Sequence, residues 1–186
     1  MRQFTFKILY TTAYICSMNY FELFELPIAL KIDKSKLAQK YFELQKKNHP
    51  DFFAKGTEHE QEQALEISSQ LNKALKIFKN PDQTIKYVLQ LKELLEEEEK
   101  YQLPPAFLME MMELNEQLAD AKIEGETEDI EKINTDLASM ESEIYAPVKH
   151  ILEHYNDDST PTADLLKVKE YYFKKKYLER ILATMQ

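Results

Sequence analysis

The sequence predicts an all-α protein, and two observations carry that prediction. Of 186 residues only 2 are Gly and 7 are Pro, too few for the many turns of an all-β chain, while Glu, Lys and Leu dominate. Apolar residues also recur three and four apart through stretches long enough for helices of several turns.

The length suits one domain or two small ones, and with 44% hydrophobic residues a core can be buried. Charge divides the chain. Residues 19–93 carry 12 lysines against 11 carboxylates, net +1, whereas residues 94–186 carry 10 basic against 22 acidic groups, net −12. That contrast suggests two modules. It argues against nucleic acid as the main partner, because phosphate binding needs a basic surface. Cys16 is the one cysteine, so no disulfide within the chain and no cysteine-rich zinc site can form. A reducing compartment is the simplest setting. No run of 18 apolar residues exists, so no membrane span is expected.

Residues 1–17 hold no acidic side chain and two basic ones, Arg2 and Lys7. They are expected to be a disordered extension or a targeting segment. Tyr10, Thr11, Thr12 and Tyr14 interrupt the apolar stretch from Ile8 to Cys16, which makes a poor secretory signal.

The first module is expected over 18–93. Asn19 can cap a short helix carrying Tyr20, Phe21, Leu23 and Phe24, which Pro27 ends. Asp33 or Ser35 caps a second helix running to Asn48, with Leu37, Tyr41 and Leu44 as its buried stripe. Lys36, Lys40 and Lys47 fall within about 40° of one another at 100° per residue, roughly a quarter-turn from that stripe. Pro50 stops the helix, and Phe52 to Thr57, with Gly56, form a loop. A third helix, Glu58 to Asn80, turns Ala64, Ile67, Ser68, Leu71, Leu75 and Phe78 inward, with Ala74 alongside. After Asn80-Pro81 a short helix carries Ile85, Tyr87, Val88 and Leu91. Two longer helices packed antiparallel, with a loop at their tip, account for most of this module.

His49, Pro50 and Asp51 occupy that tip. Pro50 sets its own φ and biases His49 towards an extended backbone. Two readings of these residues stay open. One is a plain helix end and turn, with His49 near the negative end of the helix dipole and Asp51 as a turn residue. The other is a rigid polar contact point beside a basic strip. A small hydrolase using His49 and Asp51 would need a nucleophile or a metal partner. His59 is ten residues on, and no His-Glu-x-x-His spacing exists.

The second module follows residues 94–105, expected as a linker. Glu96 to Glu99 reads as a solvated acid run, and Leu103-Pro104-Pro105 as a boundary after which Pro105 can open a helix. On that helix, about Ala106 to Glu124, Phe107, Met111, Leu114, Leu118 and Ala121 make one seam with spacings of 4 and 3. Leu108, Met109 and Met112 point roughly 100–200° away from it, and Glu113, Glu116 and Asp120 continue this second face. Either the helix is buried on two sides or this face is an exposed partner patch, a role to which adaptable methionines are suited. Gly125 ends the helix. Thr127 and Glu128 start another, whose seam runs Ile130, Ile133, Leu137, Met140, Ile144, Val148, Ile151, Tyr155, with a kink or a lost hydrogen bond at Pro147. Asn156 to Pro161 is a turn, and Thr160 or Thr162 caps the last helix. There Leu165, Val168 and Tyr172 lie on one side, and Leu178, Ile181 and Met185 lie about 100° round.

Several of these stretches carry a family resemblance. The opening Asn-Tyr-Phe-Glu-Leu-Phe-Glu-Leu-Pro, the basic helix, His-Pro-Asp in the loop and Leu-Asn-Lys-Ala-Leu on the third helix resemble a J-domain. The opening and the Gly56 loop resemble more narrowly HscB, the J-type co-chaperone of iron–sulfur cluster assembly. Phe107-Leu108-Met109-Glu110 matches a stretch with which HscB proteins bind the IscU-type scaffold. Departures are Asn48 where J-domains generally have an aromatic residue, Phe52 where a basic one often follows, and Thr84-Ile85 in place of Arg-Ala.

The resemblance implies an N-terminal J-domain and a C-terminal three-helix bundle over 106–186. It implies a non-enzymatic co-chaperone without a cofactor, a monomer that acts with neither nucleic acid nor membrane. Its partners would be a DnaK/HscA-type chaperone, whose ATP hydrolysis it stimulates, and an IscU-type scaffold. Chaperone docking would fall to His49, Pro50, Asp51, Lys36, Lys40, Lys46 and Lys47. Scaffold binding would fall to Leu108, Met109, Met112, Glu113, Glu116 and Asp120, with Tyr172 or Phe173 as the aromatic contact on the last helix. The expected setting is cytoplasmic, or mitochondrial in a eukaryote. With no cysteine pairs near the N-terminus, the metal-binding extension of some eukaryotic relatives is not expected. Alternatives are a J-domain protein for another client and a helical adaptor with no chaperone partner.

Overall fold

A computed structural model describes residues 18–125 and 127–185, so the expectations for residues 1–17 lie outside it. The elements are α1 (Tyr20–Leu23), α2 (Lys34–Asn48), a 3₁₀ turn (Pro50–Phe53), α3 (Glu58–Lys79), α4 (Pro81–Leu91), α5 (Pro105–Glu124), α6 (Thr127–Tyr145), α7 (Lys149–His154) and α8 (Thr162–Met185). No strand occurs among the described residues. The chain divides into two compact units, with the boundary inside α4 between Thr84 and Ile85, and Ala29–Lys31 belonging to the second.

The first unit is a helical hairpin with a short helix against it. Asn19 caps α1 in a full capping box with Glu22. The helix stops at Leu23, earlier than Pro27 suggested, because Glu25 takes a left-handed backbone (φ 53°). That turn leaves both Phe21 and Phe24 buried against Phe78 of α3, at ring separations of 4.7 and 5.5 Å. Asp33, rather than Ser35, caps α2, accepting from the Ser35 and Lys36 amides. Leu37, Ala64, Leu71, Ala74 and Phe78 form the inter-helix core. Towards the tip the contact turns polar. Asn72 accepts from the Tyr41 hydroxyl (2.8 Å) and the Gln45 amide (3.2 Å), and Ser68 donates to Gln45 (3.2 Å).

The second unit is a bundle of α5, α6 and α8. Its core joins Phe107, Met111, Leu114, Leu118 and Ala121 of α5 to Ile133 and Leu137 of α6 and Leu178 and Ile181 of α8. Gly125 closes α5 at φ +73°, its amide bonded to the Ala121 carbonyl, a conformation glycine adopts without strain. The helix expected to run on through Pro147 is instead two. α6 ends at Tyr145, and α7 resumes at Lys149 and buries Leu152. Pro147 has no amide hydrogen to continue the ladder. Thr160 does not cap α8; its hydroxyl accepts the Asn156 amide at 3.0 Å and holds the preceding turn.

Residues 94–105 do not behave as a linker. Leu95 is buried, Glu99 pairs with Lys169 at 2.5 Å, and Tyr101 stacks on Phe173 with centroids 4.6 Å apart and planes 2° from parallel. Of the acid run Glu96, Glu97 and Glu98 are exposed. Burial by itself would raise the Glu99 carboxyl, but Lys169 and the Glu96 amide hold it below its ordinary value.

Candidate functional site

Two surfaces gather the residues that the sequence singled out, one in each unit. At the hairpin tip α2 ends on His49, whose backbone is extended (φ −65°, ψ 128°), as the following proline demands. Pro50 opens the 3₁₀ turn, so the loop begins already coiled rather than irregular. His49 Nδ1 accepts the Asp51 amide at 3.3 Å and lies 3.6 Å from the Asp51 carboxylate. The imidazole therefore braces the turn. The Asp51 side chain is 87% exposed and that of His49 49%. Phe52, 70% exposed, sets its ring edge-on to His49.

The lysines do not act as one set. Lys36 and Lys47 are exposed on one flank of α2. Lys40, between them, donates to Glu25 at 2.6 Å, and this hydrogen bond pulls the Glu25 carboxyl below its usual range. Lys46 lies about 100° beyond Lys47, on the outer face of the helix. Among the described residues no group of three or more His, Cys, Asp or Glu is placed to hold a metal ion, and no helix is long and apolar enough to cross a membrane.

On α5 the two faces separate cleanly. The seam through Met111 is buried. On the other side Met109 is 64% and Met112 67% exposed, edged by exposed Glu113, Glu116 and Asp120. Leu108 is half-buried and turns towards α8. There it shares a groove of about 970 Å³ with Tyr172 and Phe173, walled on one side by residues 95–103. Tyr172 is buried at 4% exposure, so of the two candidate aromatics only Phe173 keeps appreciable surface.

These features coincide with a known architecture. Residues 103–186 match the family model described as the HSCB C-terminal oligomerisation domain. The chain is 34% identical over 166 residues to a co-chaperone protein HscB homolog of Pseudoalteromonas atlantica, an alignment covering 84% of this chain and 91% of the relative. The chain belongs to the HscB co-chaperone family. A Photobacterium profundum HscB homolog is 32% identical over 171 residues, covering 90% of this chain and 98% of that one. Among solved structures, chaperone HscB from Vibrio cholerae is similar with a TM-score of 0.66 and 29% identity, covering 90% of this chain and 95% of its own. Human co-chaperone HscB gives a TM-score of 0.71 at 26% identity, covering 91% and 81%. An N-terminal J-domain followed by a C-terminal helical bundle is thus the arrangement of this HscB chain.

Against the HscB frame, sequence reasoning missed one residue of the α5 face. Ile123 is 83% exposed and falls within about 40° of Met109 in helical angle. The stripe therefore continues three turns past Met112. The same angular count that found Met109 and Met112 would have found it. By contrast, nothing local marks Tyr101 or the groove, because both depend on contacts with α8, some 70 residues on in the chain.

Proposed function

We propose that this chain binds an IscU-type iron–sulfur scaffold protein through α5 and delivers it to a DnaK/HscA-type chaperone through the His49-Pro50-Asp51 tip, stimulating the chaperone's ATP hydrolysis. The observation that carries the reading is the two-faced α5. Two exposed methionines and Ile123, edged by carboxylates, lie opposite a seam that already satisfies the core. Membership of the HscB family supports the same direction. At the tip, a braced imidazole and an exposed Asp51 follow directly on the end of α2 that carries Lys47, while Lys36 lies about three turns back along the same helix. Such charges steer association and make it salt-sensitive. The reading is that of a binding protein, with the His49 and Asp51 side chains presented on an exposed tip. The work would be done in the cytoplasm, or in the mitochondrion of a eukaryotic cell.

The test is a single-turnover ATPase assay of the chaperone with scaffold present. Wild type is expected to stimulate hydrolysis, and His49→Gln to lose the stimulation. Unchanged stimulation by His49→Gln refutes the docking role. Pull-down with the scaffold, using Leu108→Ser and Met109→Ser, tests the other end. If wild type fails to retain the scaffold, the cargo is some other client.

A further inference from the structure

The groove holding Leu108 and Phe173 also carries cations that the reading above leaves unused. α8 bears six basic residues from Lys167 to Arg180. Four are in ion pairs: Lys167 with Asp164 (2.7 Å), Lys169 with Glu99 (2.5 Å), Lys174 with Glu170 (2.6 Å) and Lys175 with Glu179 (3.8 Å). The remaining two, Lys176 and Arg180, are exposed, line the groove, and have no ion-pair partner among the described residues. In a half of the chain with net charge −12, these two cations stand four residues apart on one face of α8, where the groove runs.

Their setting is specific. Lys176 Nζ stands 5.7 Å over the Tyr172 ring, a cation–π contact that draws the ammonium towards the groove. Leu108, Phe173 and Tyr177 supply apolar surface beside it, and two further cations line the groove, half-buried Lys86 and, on the opposite side, exposed Lys100. The facing wall carries Glu96, Glu97 and Glu98, all exposed. Such a groove disfavours a uniformly acidic occupant. It suits a segment that lays an apolar side chain on Phe173 and Leu108 and turns a carboxylate to the α8 side.

We propose that this groove receives from the scaffold a segment pairing an apolar side chain with a carboxylate, and that Lys176 and Arg180 bind the carboxylate. The proposal rests on the scaffold reading and extends it. The partner is read with opposite signs at two places, basic groups towards Glu113, Glu116 and Asp120 and an acidic group towards α8. Opposed charges fix the orientation of a docked partner and penalise a reversed one. A guanidinium can grip a carboxylate through two parallel bonds, so Arg180 would supply the more directional contact.

The experiment is calorimetric titration of the full chain with the scaffold over a range of salt concentrations, for wild type, Arg180→Glu, Lys176→Glu with Arg180→Glu, Lys167→Glu and Met109→Ser. The double reversal is expected to weaken binding at least about tenfold and to flatten its salt dependence. Lys167→Glu, the same charge change away from the groove, should leave affinity near wild type. An equal effect of Arg180→Glu and Lys167→Glu, with Met109→Ser still damaging, overturns the groove proposal and leaves the scaffold reading standing. No binding by wild type overturns both. Because a charge reversal could disturb folding, amide and guanidinium shifts of labelled wild type are followed in the same titration. Signals of Tyr101, Phe173, Tyr177 and Arg180 should move, and stationary signals refute the proposal. If they move instead on concentrating the chain alone, a second copy is the occupant and the proposal fails.

Discussion

Met111 and Met112 are neighbours in sequence with opposite fates, and replacing each with alanine separates core from contact surface. Met111 is fully buried, at 0% exposure, among Phe107, Leu114 and the facing helices. Met111→Ala should therefore destabilise the protein by about 2–5 kcal/mol, the sum of lost transfer energy and the cavity left behind. Met112 is 67% exposed and Met109 64%. Burying a methionine fully is worth about 1.5–3 kcal/mol, so about two thirds of that, roughly 1–2 kcal/mol each, is still available to a partner. Met109→Ala with Met112→Ala should then leave stability within about 0.5 kcal/mol of wild type. The same pair should cost about 2–4 kcal/mol in scaffold binding, a factor of roughly 30 to 1,000 in Kd. Urea unfolding followed by circular dichroism gives the first quantity and calorimetric titration the second. If the double variant is destabilised as much as Met111→Ala, or binds the scaffold like wild type, the two-face argument is wrong.

Three further outcomes follow from the geometry. Asn72→Ala removes the acceptor shared by Tyr41 and Gln45 and should cost about 1 kcal/mol in urea unfolding, with water able to replace part of the loss at this half-exposed site. Gly56→Ala would put its Cβ 2.8 Å from Glu60 Oε2 and 3.1 Å from the Phe53 carbonyl. The Thr57–Glu60 capping box must then open, and a loss of about 1 kcal/mol is expected in the same assay. Glu99 has its carboxyl held below the ordinary 4.5, so its contribution is fully present above that pH and is lost as pH falls through the lower folded value. Unfolding curves of Glu99→Gln should accordingly lose less stability than wild type on acidification below about pH 4.5, and parallel acid limbs would remove Glu99 from the account.

The hairpin tip and the α5 stripe were legible without coordinates because each depends on local rules. The 3.6-residue period placed Leu37 and Leu71 inside, and put Met109 opposite Phe107. Asn19 announced its cap, and Pro50 ended α2 where it stands. Pro147 was recognised as a disturbance, but whether a helix kinks or breaks there depends on what its two sides pack against: Tyr145 lies beside Tyr171 of α8, and Leu152 is buried beyond the break.

The sequence by itself determined that this is an all-helical chain, where most of its helices begin, and which side of α5 is surplus to the core. Those properties follow from backbone sterics, caps and side-chain period, all set within a few residues. Only the tertiary structure decided that 94–105 is part of the bundle, that Phe173 rather than Tyr172 keeps an open surface, and that Lys176 and Arg180 stand unpaired while the other four basic residues of α8 do not. Each of these is a competition among side chains far apart in sequence for the same few ångströms of space. Glu99 reaching Lys169 and Tyr101 lying flat on Phe173 are its outcomes, and no local pattern encodes them.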